Sequence, residues 1–358
     1  GLFFKGKEAD HWYQLGVSIV NKELSEQVLS DGGNFELSPM YHAIFLEDLL
    51  DLVNIYQAFD RSLPDNLENK IVQMLEWLKV MSHPDGGVAF FNDSTLGVAP
   101  SFIELLSYAD RLGIVFKNNQ VNQLTHLVES GYIRVEKENI VIIADVANIG
   151  PDYIPGHGHA DTLSFELSLF NKRVIVNSGI STYEMGIDRD NQRSTKLHST
   201  ITVDNKNSSE VWSAFRVANR AKVFDVKKLE DSNSVEFSGC HDGYRKLKEG
   251  VLHCRHWSVS KNTITIVDNI IGKGMHKISS VLPLHPSVVA DNAQGDSISL
   301  NVSGKRVKIN FEGKGTLKVI DSQYYPEFGR SIDNKHLIYD YNSQLPSKIT
   351  IKISWQKY

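Results

Sequence analysis

The chain has 358 residues, of which 41% are hydrophobic and 23% are charged, a composition typical of a globular protein of about two domains. This composition excludes collagen, coiled coils, disordered chains and disulfide scaffolds, and no apolar run approaches the ~20 residues that span a bilayer. Residues 1–130 carry 8 Lys and Arg against 18 Asp and Glu, whereas the remainder carries 30 against 25. The mildly basic second part suits an anionic ligand, and the lack of a Lys/Arg-rich stripe argues against nucleic acid as a partner.

Signals of processing and compartment are few. Gly1 is not followed by a basic and then apolar signal segment, so the sequence does not define an export route. The two cysteines, Cys240 and Cys254, either pair or stay free, and they leave the redox compartment undecided.

Apolar residues recur at helical spacing throughout the first 130 residues. Pro64 stands near the start of the third segment, and the fourth begins at Pro100 and ends near Gly113, which matches the preference for Pro at helix starts and Gly after helix ends. Successive amphipathic helices separated by loops indicate an α/α layered array. The predicted helices cover residues 8–29, 41–59, 67–78, 100–113 and 121–128.

From residue 131 the apolar period changes to two, which predicts β-strands. Turn pairs such as Asp204-Asn205 and Asp242-Gly243 separate the strands, and no helical pattern lies between them. This arrangement is typical of an antiparallel β-sandwich, which can exceed about 200 residues as one domain. We therefore predict a multidomain α+β protein, with a helical domain over 1–130 and an antiparallel β-sandwich over 131–358.

The most informative motif is GHGHAD at residues 156–161. In a strand, residues two apart share a face, so His157, His159 and Asp161 would project together at the rim of the buried stripe that follows them. Two imidazoles and a carboxylate in one place bind a divalent cation or move protons. The alternative interpretation is a surface-loop histidine cluster without a partner, which the spacing alone does not exclude.

A second candidate site lies at the predicted start of the second helix. Ser38 is a good N-cap, Pro39 is a good first helical residue, and Tyr41 falls in the first turn. The positive end of the helix dipole favours negative charge there, so we expect a stabilised phenolate and a lowered pKa for Tyr41. The alternative is a tyrosine that only packs at the helix start.

Further polar residues follow in the predicted sandwich. Arg193 precedes His198, which stands at the entry of a predicted strand, and Trp212 lies near Arg216. Aromatic faces and carboxylate-binding arginines are what a groove for an acidic glycan requires, and a solvated loop is the alternative. The polar stretches 83–87 and 92–93 are interpreted as loop and surface structure, and the alternative for them too is that they line a sugar groove.

Three segments, in this order, resemble the heparinase II/III-like polysaccharide lyase family: DGGNFELSPMYHAIFLEDLLDL, PDYIPGHGHADTLSFELSLFNKRVIVNSG and RSTKLHSTITVDN. The resemblance runs over residues 1–220 and more loosely to the C-terminus. It implies an α/α toroid, incomplete in this chain, followed by an antiparallel β-sandwich, with an active site in the groove between them. It also implies β-elimination of a uronic-acid glycan and a periplasmic or cell-envelope location.

The resemblance assigns roles residue by residue. Tyr41 and His157 match the family's catalytic tyrosine and histidine, and we expect them to face each other across the groove with a sugar between them. His159 and His198 match metal-ligand histidines. Asn177 stands where metal-binding members carry aspartate, so this set is expected to hold zinc more weakly than two histidines with a carboxylate.

The assignment of Asn177 follows from the resemblance alone. A tight turn between two strands would pair Asn177 with Ser164, far along the strand from His159. Asp161 is, by strand parity, the acceptor expected to fix the tautomers of the two ligand imidazoles.

The resemblance also implies a ligand and partners. Arg193 and Arg216 are expected to bind carboxylates of an acidic polysaccharide, with Trp212 in the same groove. The family's Asn-His pair, which neutralises the substrate carboxylate, precedes the tyrosine by more than the 40 residues that stand before Tyr41. We therefore expect the C-terminal portion of a longer protein, with apolar helix faces that a partner chain or self-association would cover.

These observations support a polysaccharide lyase acting on a uronic-acid glycan. Two alternatives remain: a glycan-binding or surface-polysaccharide assembly protein without turnover, and a metal-assisted glycan hydrolase. The products distinguish them, because a lyase generates an unsaturated uronyl end that absorbs in the near ultraviolet, a hydrolase generates only a new reducing end, and a binding protein generates neither.

Overall fold

The long helices of the protein precede its strands, and one short helix over Ile187–Gln192 lies among the strands, where the sequence pattern predicts none. A computed structural model describes residues 1–117, 122–247 and 249–356. Within them, the predicted fold class is confirmed: an incomplete α/α array is followed by antiparallel sheets. None of the described helices is both long and apolar enough to cross a bilayer. The helices are α1 (Lys7–Gln27), α2 (Pro39–Ala58), α3 (Leu67–Val80), α4 (Phe102–Arg111) and the short α5 (Ile187–Gln192).

The start of α2 matches its sequence signals. The Ser38 side chain accepts a hydrogen bond from the backbone N–H of Tyr41 at 3.2 Å, and Pro39 is the first helical residue. This hydrogen bond satisfies one of the amide groups that a helix start leaves unpaired. The helix predicted over 121–128 is wrong where it can be compared: Leu124–Leu127 forms a strand, and residue 121 lies outside the described residues.

The helices differ in how well they are covered. Helices α2 and α3 pack against each other through a buried apolar core that includes Leu46, Leu50, Ile71 and Leu75. In contrast, α1 buries little, and its apolar stripe of Trp12, Leu15 and Ile19 is 46%, 51% and 52% exposed.

In the part of the chain that the structure describes, the strands are β1 (Leu124–Leu127), β2 (Tyr132–Lys137), β3 (Ile140–Asp145), β4 (Phe165–Leu169), β5 (Lys172–Ile175), β6 (Ile201–Val203), β7 (Glu210–Trp212), β8 (Arg216–Ala218), β9 (Val223–Glu230), β10 (Val235–His241), β11 (Leu252–Ser260), β12 (Thr263–Ile271), β13 (Met275–Pro283), β14 (Val289–Ala290), β15 (Ser297–Val302), β16 (Lys305–Glu312), β17 (Thr316–Glu327), β18 (Arg330–Gln344) and β19 (Ser347–Trp355). These strands form three large antiparallel sheets and one hairpin. The first sheet has the order β1-β2-β3-β4-β5, the second β14-β15-β16-β19-β12-β11-β10-β9, and the third β17-β18-β13-β6, while β7 and β8 form the hairpin.

One apolar core joins the three large sheets, with Phe165, Trp257, Ile278 and Ile351 among its fully buried members. A disulfide between Cys240 and Cys254 links the paired strands β10 and β11.

The helices dock directly on the first sheet. Trp77 of α3 packs against Tyr132 of β2, and its indole N–H donates to the Ser130 hydroxyl at 2.8 Å. Arg134, also on β2, donates to the carbonyls of Val80 and Ser82 at the end of α3. These contacts hold the C-terminal end of α3 against β2. The domain boundary near residue 130 stays a prediction, since helix-to-sheet packing by itself does not define independent units.

Candidate functional site

Tyr41 and His157 are in direct contact. Tyr41 lies in the first turn of α2, and His157 lies in the loop that joins β3 to β4. Their ring centroids are 4.1 Å apart with an interplanar angle of 36°. The structure therefore brings together the two residues predicted to be catalytic, but the expectation of a sugar between them is wrong because the rings already touch.

The Tyr41 phenol is half-buried and paired with a second phenol. Its hydroxyl lies 3.0 Å from the Tyr183 hydroxyl. Burial raises the pKa of Tyr41, the hydrogen bond to Tyr183 opposes this change, and the nearby Asp93 and Glu36 carboxylates add to it. The lowered pKa expected from the helix dipole is therefore wrong, because loss of hydration outweighs the dipole at this half-buried position. Tyr41 is a protonated phenol at neutral pH.

Asp93 is the centre of the site. Its fully buried carboxylate accepts hydrogen bonds from His157 Nδ1 at 2.9 Å and from His159 Nε2 at 2.8 Å. Arg189, also fully buried, donates to both carboxylate oxygens, to Oδ2 at 2.6 Å. Burial opposes the ionisation of Asp93, but the hydrogen bonds from these three residues outweigh it and hold the pKa of the carboxyl well below its usual range. Asp93 is thus an anion whose charge is balanced by Arg189.

The Asp93 main chain also connects the two parts of the site. Its carbonyl accepts a hydrogen bond from the hydroxyl of Ser38, the N-cap of α2, at 2.6 Å. Its N–H donates to the His157 carbonyl at 3.1 Å. One residue therefore holds both the helix start that carries Tyr41 and the loop that carries His157.

The Asp93 carboxylate fixes the protonation pattern of both histidines. A carboxylate only accepts hydrogen bonds, so His157 carries its proton on Nδ1 and His159 carries its proton on Nε2. In neutral His157 the lone pair is then on Nε2, which lies 4.0 Å from a Glu36 oxygen. In neutral His159 the lone pair is on Nδ1. Each imidazole thus presents a bare nitrogen to a different neighbour.

The bare nitrogen of His159 faces a second bare nitrogen. His198 Nδ1 lies 2.8 Å from the Ser194 carbonyl, which only accepts, so the lone pair of neutral His198 is on Nε2. That atom lies 3.2 Å from His159 Nδ1. Two lone pairs at this distance repel unless a proton or a cation lies between them. Burial lowers the pKa of His159 to about 4 and also lowers the pKa of His198, which disfavours a shared proton at neutral pH.

Asp161 completes a group that can bind a metal ion. His159, Asp161 and His198 are all buried, and one ligand atom from each lies within 4.8 Å of the others. Two nitrogens bound to a tetrahedral zinc ion at about 2.0–2.1 Å lie roughly 3.3–3.4 Å apart, close to the spacing found here. The donor set therefore fits a divalent cation.

The place of Asn177 in this group stays a prediction. Its amide donates to the Ser164 hydroxyl at 3.3 Å and accepts from the N–H of Ser199, the residue after His198, at 3.2 Å. One sequence prediction about the group is wrong: Asp161 is a member of the group, and the tautomers of the two histidines are fixed by Asp93 and the Ser194 carbonyl instead.

The GHGHAD motif is also not a strand. Residues 156–161 form a loop, so alternation does not place the three side chains on one face. His157 faces Tyr41, whereas His159 and Asp161 face His198.

The predicted substrate-binding residues divide into two kinds. Arg193 is fully buried, and its guanidinium donates to main-chain carbonyls, to Gly158 at 2.8 Å and to Ala214 at 2.7 Å. The prediction that Arg193 binds glycan carboxylates is therefore wrong, because its donors are used to hold the loop of His157 against the β7–β8 hairpin. Arg216 and Trp212 are exposed on that hairpin, and their role stays a prediction.

Sequence reasoning missed Asp93, Arg189 and Tyr183. Asp93 stands two residues after the buried apolar stretch 88–91. A carboxylate this close to a buried stretch is expected to have a buried partner, and this position is the signal that could have identified Asp93. Arg189 and Tyr183 lie in a segment without periodicity, so nothing local distinguishes them. Phe215, at the tip of the β7–β8 hairpin, also contacts His157 edge-on at 6.0 Å.

The helices dock on antiparallel sheets, with Tyr41 and His157 in contact where they meet, which agrees with the resemblance to the heparinase II/III-like proteins. The chain belongs to this family: residues 119–356 match the model "Heparinase II/III-like, C-terminal", and residues 1–122 match "Heparinase II/III N-terminus".

The relatives are bacterial enzymes. The chain is 27% identical over 243 residues to a heparin-sulfate lyase of Bacteroides stercoris, and 28% identical over 232 residues to one of Pedobacter heparinus. These alignments cover 61% and 56% of the chain but only 35% and 33% of the relatives. The chain therefore spans about a third of the length of these curated relatives.

Solved structures show the same fold. A crystal structure of heparinase III matches with a TM-score of 0.80 at 19% identity, over 98% of this chain and 59% of that one. The heparan sulfate lyase HepC from Pedobacter heparinus matches with a TM-score of 0.77 at 19% identity, over 98% and 56%.

Proposed function

We propose that the chain forms the catalytic part of a polysaccharide lyase that cleaves a uronic-acid glycan by β-elimination. The observation that carries this proposal is the contact between Tyr41 and His157, with the tautomer of His157 set by Asp93. The names of the relatives, heparin-sulfate lyases, support the reaction class. The mildly basic second part of the chain supports an anionic substrate.

The tautomer of His157 and the raised pKa of Tyr41 support a division of labour between the two residues. Elimination removes the proton on C5 beside the uronate carboxylate and expels the sugar linked through O4. His157 Nε2 has a lone pair and acts as the base. Tyr41 is a protonated phenol and donates its proton to the leaving oxygen. Each role is worth about 10²–10⁴-fold in rate.

The side-by-side arrangement favours one stereochemical course. Because the Tyr41 and His157 rings touch, both approach the sugar from the same side. Removal of H5 and protonation of O4 on one face is a syn elimination. In D-glucuronate H5 and O4 lie on the same face of the ring, whereas in L-iduronate they lie on opposite faces. We therefore propose a preference for glucuronate-configured residues at the cleavage site.

We also propose that His159, Asp161 and His198 bind zinc. The opposed lone pairs and the nearby carboxylate support this identity, since zinc prefers nitrogen ligands with tetrahedral spacing. Bound there, zinc would supply positive charge and tie the loop of His157 to the segment before β6. Asp93 would then orient one zinc ligand and the base at once.

The location of the protein is proposed to be outside the cytoplasm. The Cys240–Cys254 disulfide supports this location, because disulfides persist in oxidising compartments. The exposed apolar stripe of α1 supports a partner that covers it, either a second copy of this chain or a partner chain that carries further helices.

The test uses the intact protein with glycans of defined uronate configuration. Tyr41→Phe and His157→Ala are each expected to abolish the near-ultraviolet absorbance of the unsaturated product, while Tyr325→Phe serves as a tyrosine control that does not contact His157 in the structure. Release of reducing ends without this absorbance would support a hydrolase, and binding without either product would support a binding protein. Faster cleavage of iduronate than of glucuronate linkages would contradict the syn course.

A further inference from the structure

A cavity of about 590 Å³ lies beside the β7–β8 hairpin, and neither Tyr41 nor His157 of the candidate catalytic site lines it. It is bounded by the segment before β7, by Trp212 at the end of β7 and by the turn that carries Lys246. Trp212 is three residues from Phe215, whose ring contacts His157. The β7–β8 hairpin therefore contributes to both the catalytic site and this cavity.

Two lysines and a tryptophan are among the residues that line the cavity. Lys206 and Lys246 both line it and both are exposed. Lys246 donates a hydrogen bond to the Asn219 amide oxygen, which orients it, whereas the side-chain ammonium of Lys206 has no hydrogen-bond or ion-pair partner among the described residues. Trp212 also lines the cavity and is 43% exposed. Glu210 contributes one opposing negative charge.

The floor of the cavity is rigid and is linked to the candidate metal group. Ser208 is buried, and its N–H donates to the Thr195 hydroxyl at 2.9 Å. The Thr195 hydroxyl in turn donates to the Ala160 carbonyl at 2.7 Å, between His159 and Asp161. The cavity thus keeps a fixed position relative to the catalytic loop.

We propose that this cavity is an accessory subsite that binds an anionic sugar residue of the glycan, remote from the bond that is cleaved. The lysines pair with a sulfate or carboxylate group, and the Trp212 ring packs on the apolar face of the sugar. This inference rests on the proposed function for its substrate class, but it concerns binding and not turnover.

Binding is measured by calorimetry with a size-defined heparin tetrasaccharide at low salt, using the chain with Tyr41→Phe so that no cleavage occurs. Lys206→Met and Lys246→Met are each expected to weaken binding about 2- to 5-fold, the range for an exposed ion pair. Trp212→Ala is expected to weaken it further. Glu210→Gln is expected to strengthen it, because it removes the one opposing charge. A fully desulfated, N-acetylated tetrasaccharide distinguishes sulfate from carboxylate recognition.

The matched control is the pair of exposed lysines Lys314 and Lys352, which lie outside the cavity. Their replacement by Met removes the same charge and is expected to leave the affinity unchanged. The proposal is overturned if the control variants weaken binding as much as the cavity variants, if Glu210→Gln has no effect, or if the tetrasaccharide does not bind. Failure of the lyase proposal appears separately, as an absence of unsaturated product from the chain with native Tyr41.

Discussion

Replacing Asp93 by Asn tests whether one carboxylate holds the site together. The change keeps the size of the side chain but removes the charge that balances Arg189. Both side chains are fully buried, so Arg189 would be left without a counterion in a region that water does not reach. Breaking a buried ion pair in this way costs about 3–5 kcal/mol. The new amide would also have to accept from two imidazole N–H groups with a single oxygen.

The assay is urea unfolding of Asp93→Asn, Arg189→Met and the double variant. Each single change is expected to lower the free energy of unfolding by about 3–5 kcal/mol, and the double variant by much less than their sum, because it removes both charges. The control is Glu327→Gln, which breaks an exposed ion pair with Arg330 and should cost less than about 1 kcal/mol.

A second readout follows the histidines directly. Nitrogen NMR distinguishes the two neutral tautomers, and His157 is expected to carry its proton on Nδ1 in the native chain and to lose that preference in Asp93→Asn. The reasoning is refuted if the single variants cost less than about 1 kcal/mol, if their effects add in the double variant, or if the His157 tautomer does not change.

Three further predictions concern neighbouring groups. Tyr183→Phe removes the hydrogen bond that opposes the rise in the pKa of Tyr41, so phenolate absorbance should appear at higher pH, and an unchanged ultraviolet titration would contradict this. Burial lowers the pKa of His42 to about 3, so as the pH falls below about 6.5 the unfolded chain takes up a proton first. The free energy of unfolding is therefore expected to be highest above pH 6.5 and to fall between pH 7 and pH 5 in urea titrations. Equal free energies of unfolding at pH 7 and pH 5 would contradict this role of His42. Asp161→Asn is expected to weaken zinc binding at least tenfold in a competition titration, while Asn177→Ser leaves the zinc affinity unchanged. A larger loss of affinity in Asn177→Ser than in Asp161→Asn would identify Asn177 as the third zinc ligand instead.

The parts of the site that the sequence predicts are those governed by local rules. Ser38 and Pro39 have well-known preferences at helix starts, so the position of Tyr41 follows from neighbours within the same turn. The proximity of the Asn177 and Ser164 side chains likewise follows from the short turn between β4 and β5. The helical spacing of apolar residues identifies the helical part, and the period of two identifies the β part. Both spacings arise because each element buries one face.

The missed parts depend on partners that are distant in sequence. Asp93 and Arg189 are 96 residues apart, and the sequence around neither residue predicts the other as its partner. The burial of Arg193 also depends on the β7–β8 hairpin, which supplies the carbonyls that its guanidinium needs. An arginine near a predicted groove is equally suited to bind a ligand or a loop, and only the tertiary fold decides between them.

The main-chain hydrogen bonds of Asp93 have a consequence for how the protein responds to partial denaturation. They join the helix start at Ser38 to the loop at His157, so the site exists only while the helical part stays docked on the first sheet. Small openings of that junction would separate Tyr41 from His157 and leave every sheet intact. Amide exchange at Asp93 should therefore be faster than exchange in the central strands, and under mild denaturant the site should be lost before the circular dichroism of the sheets changes.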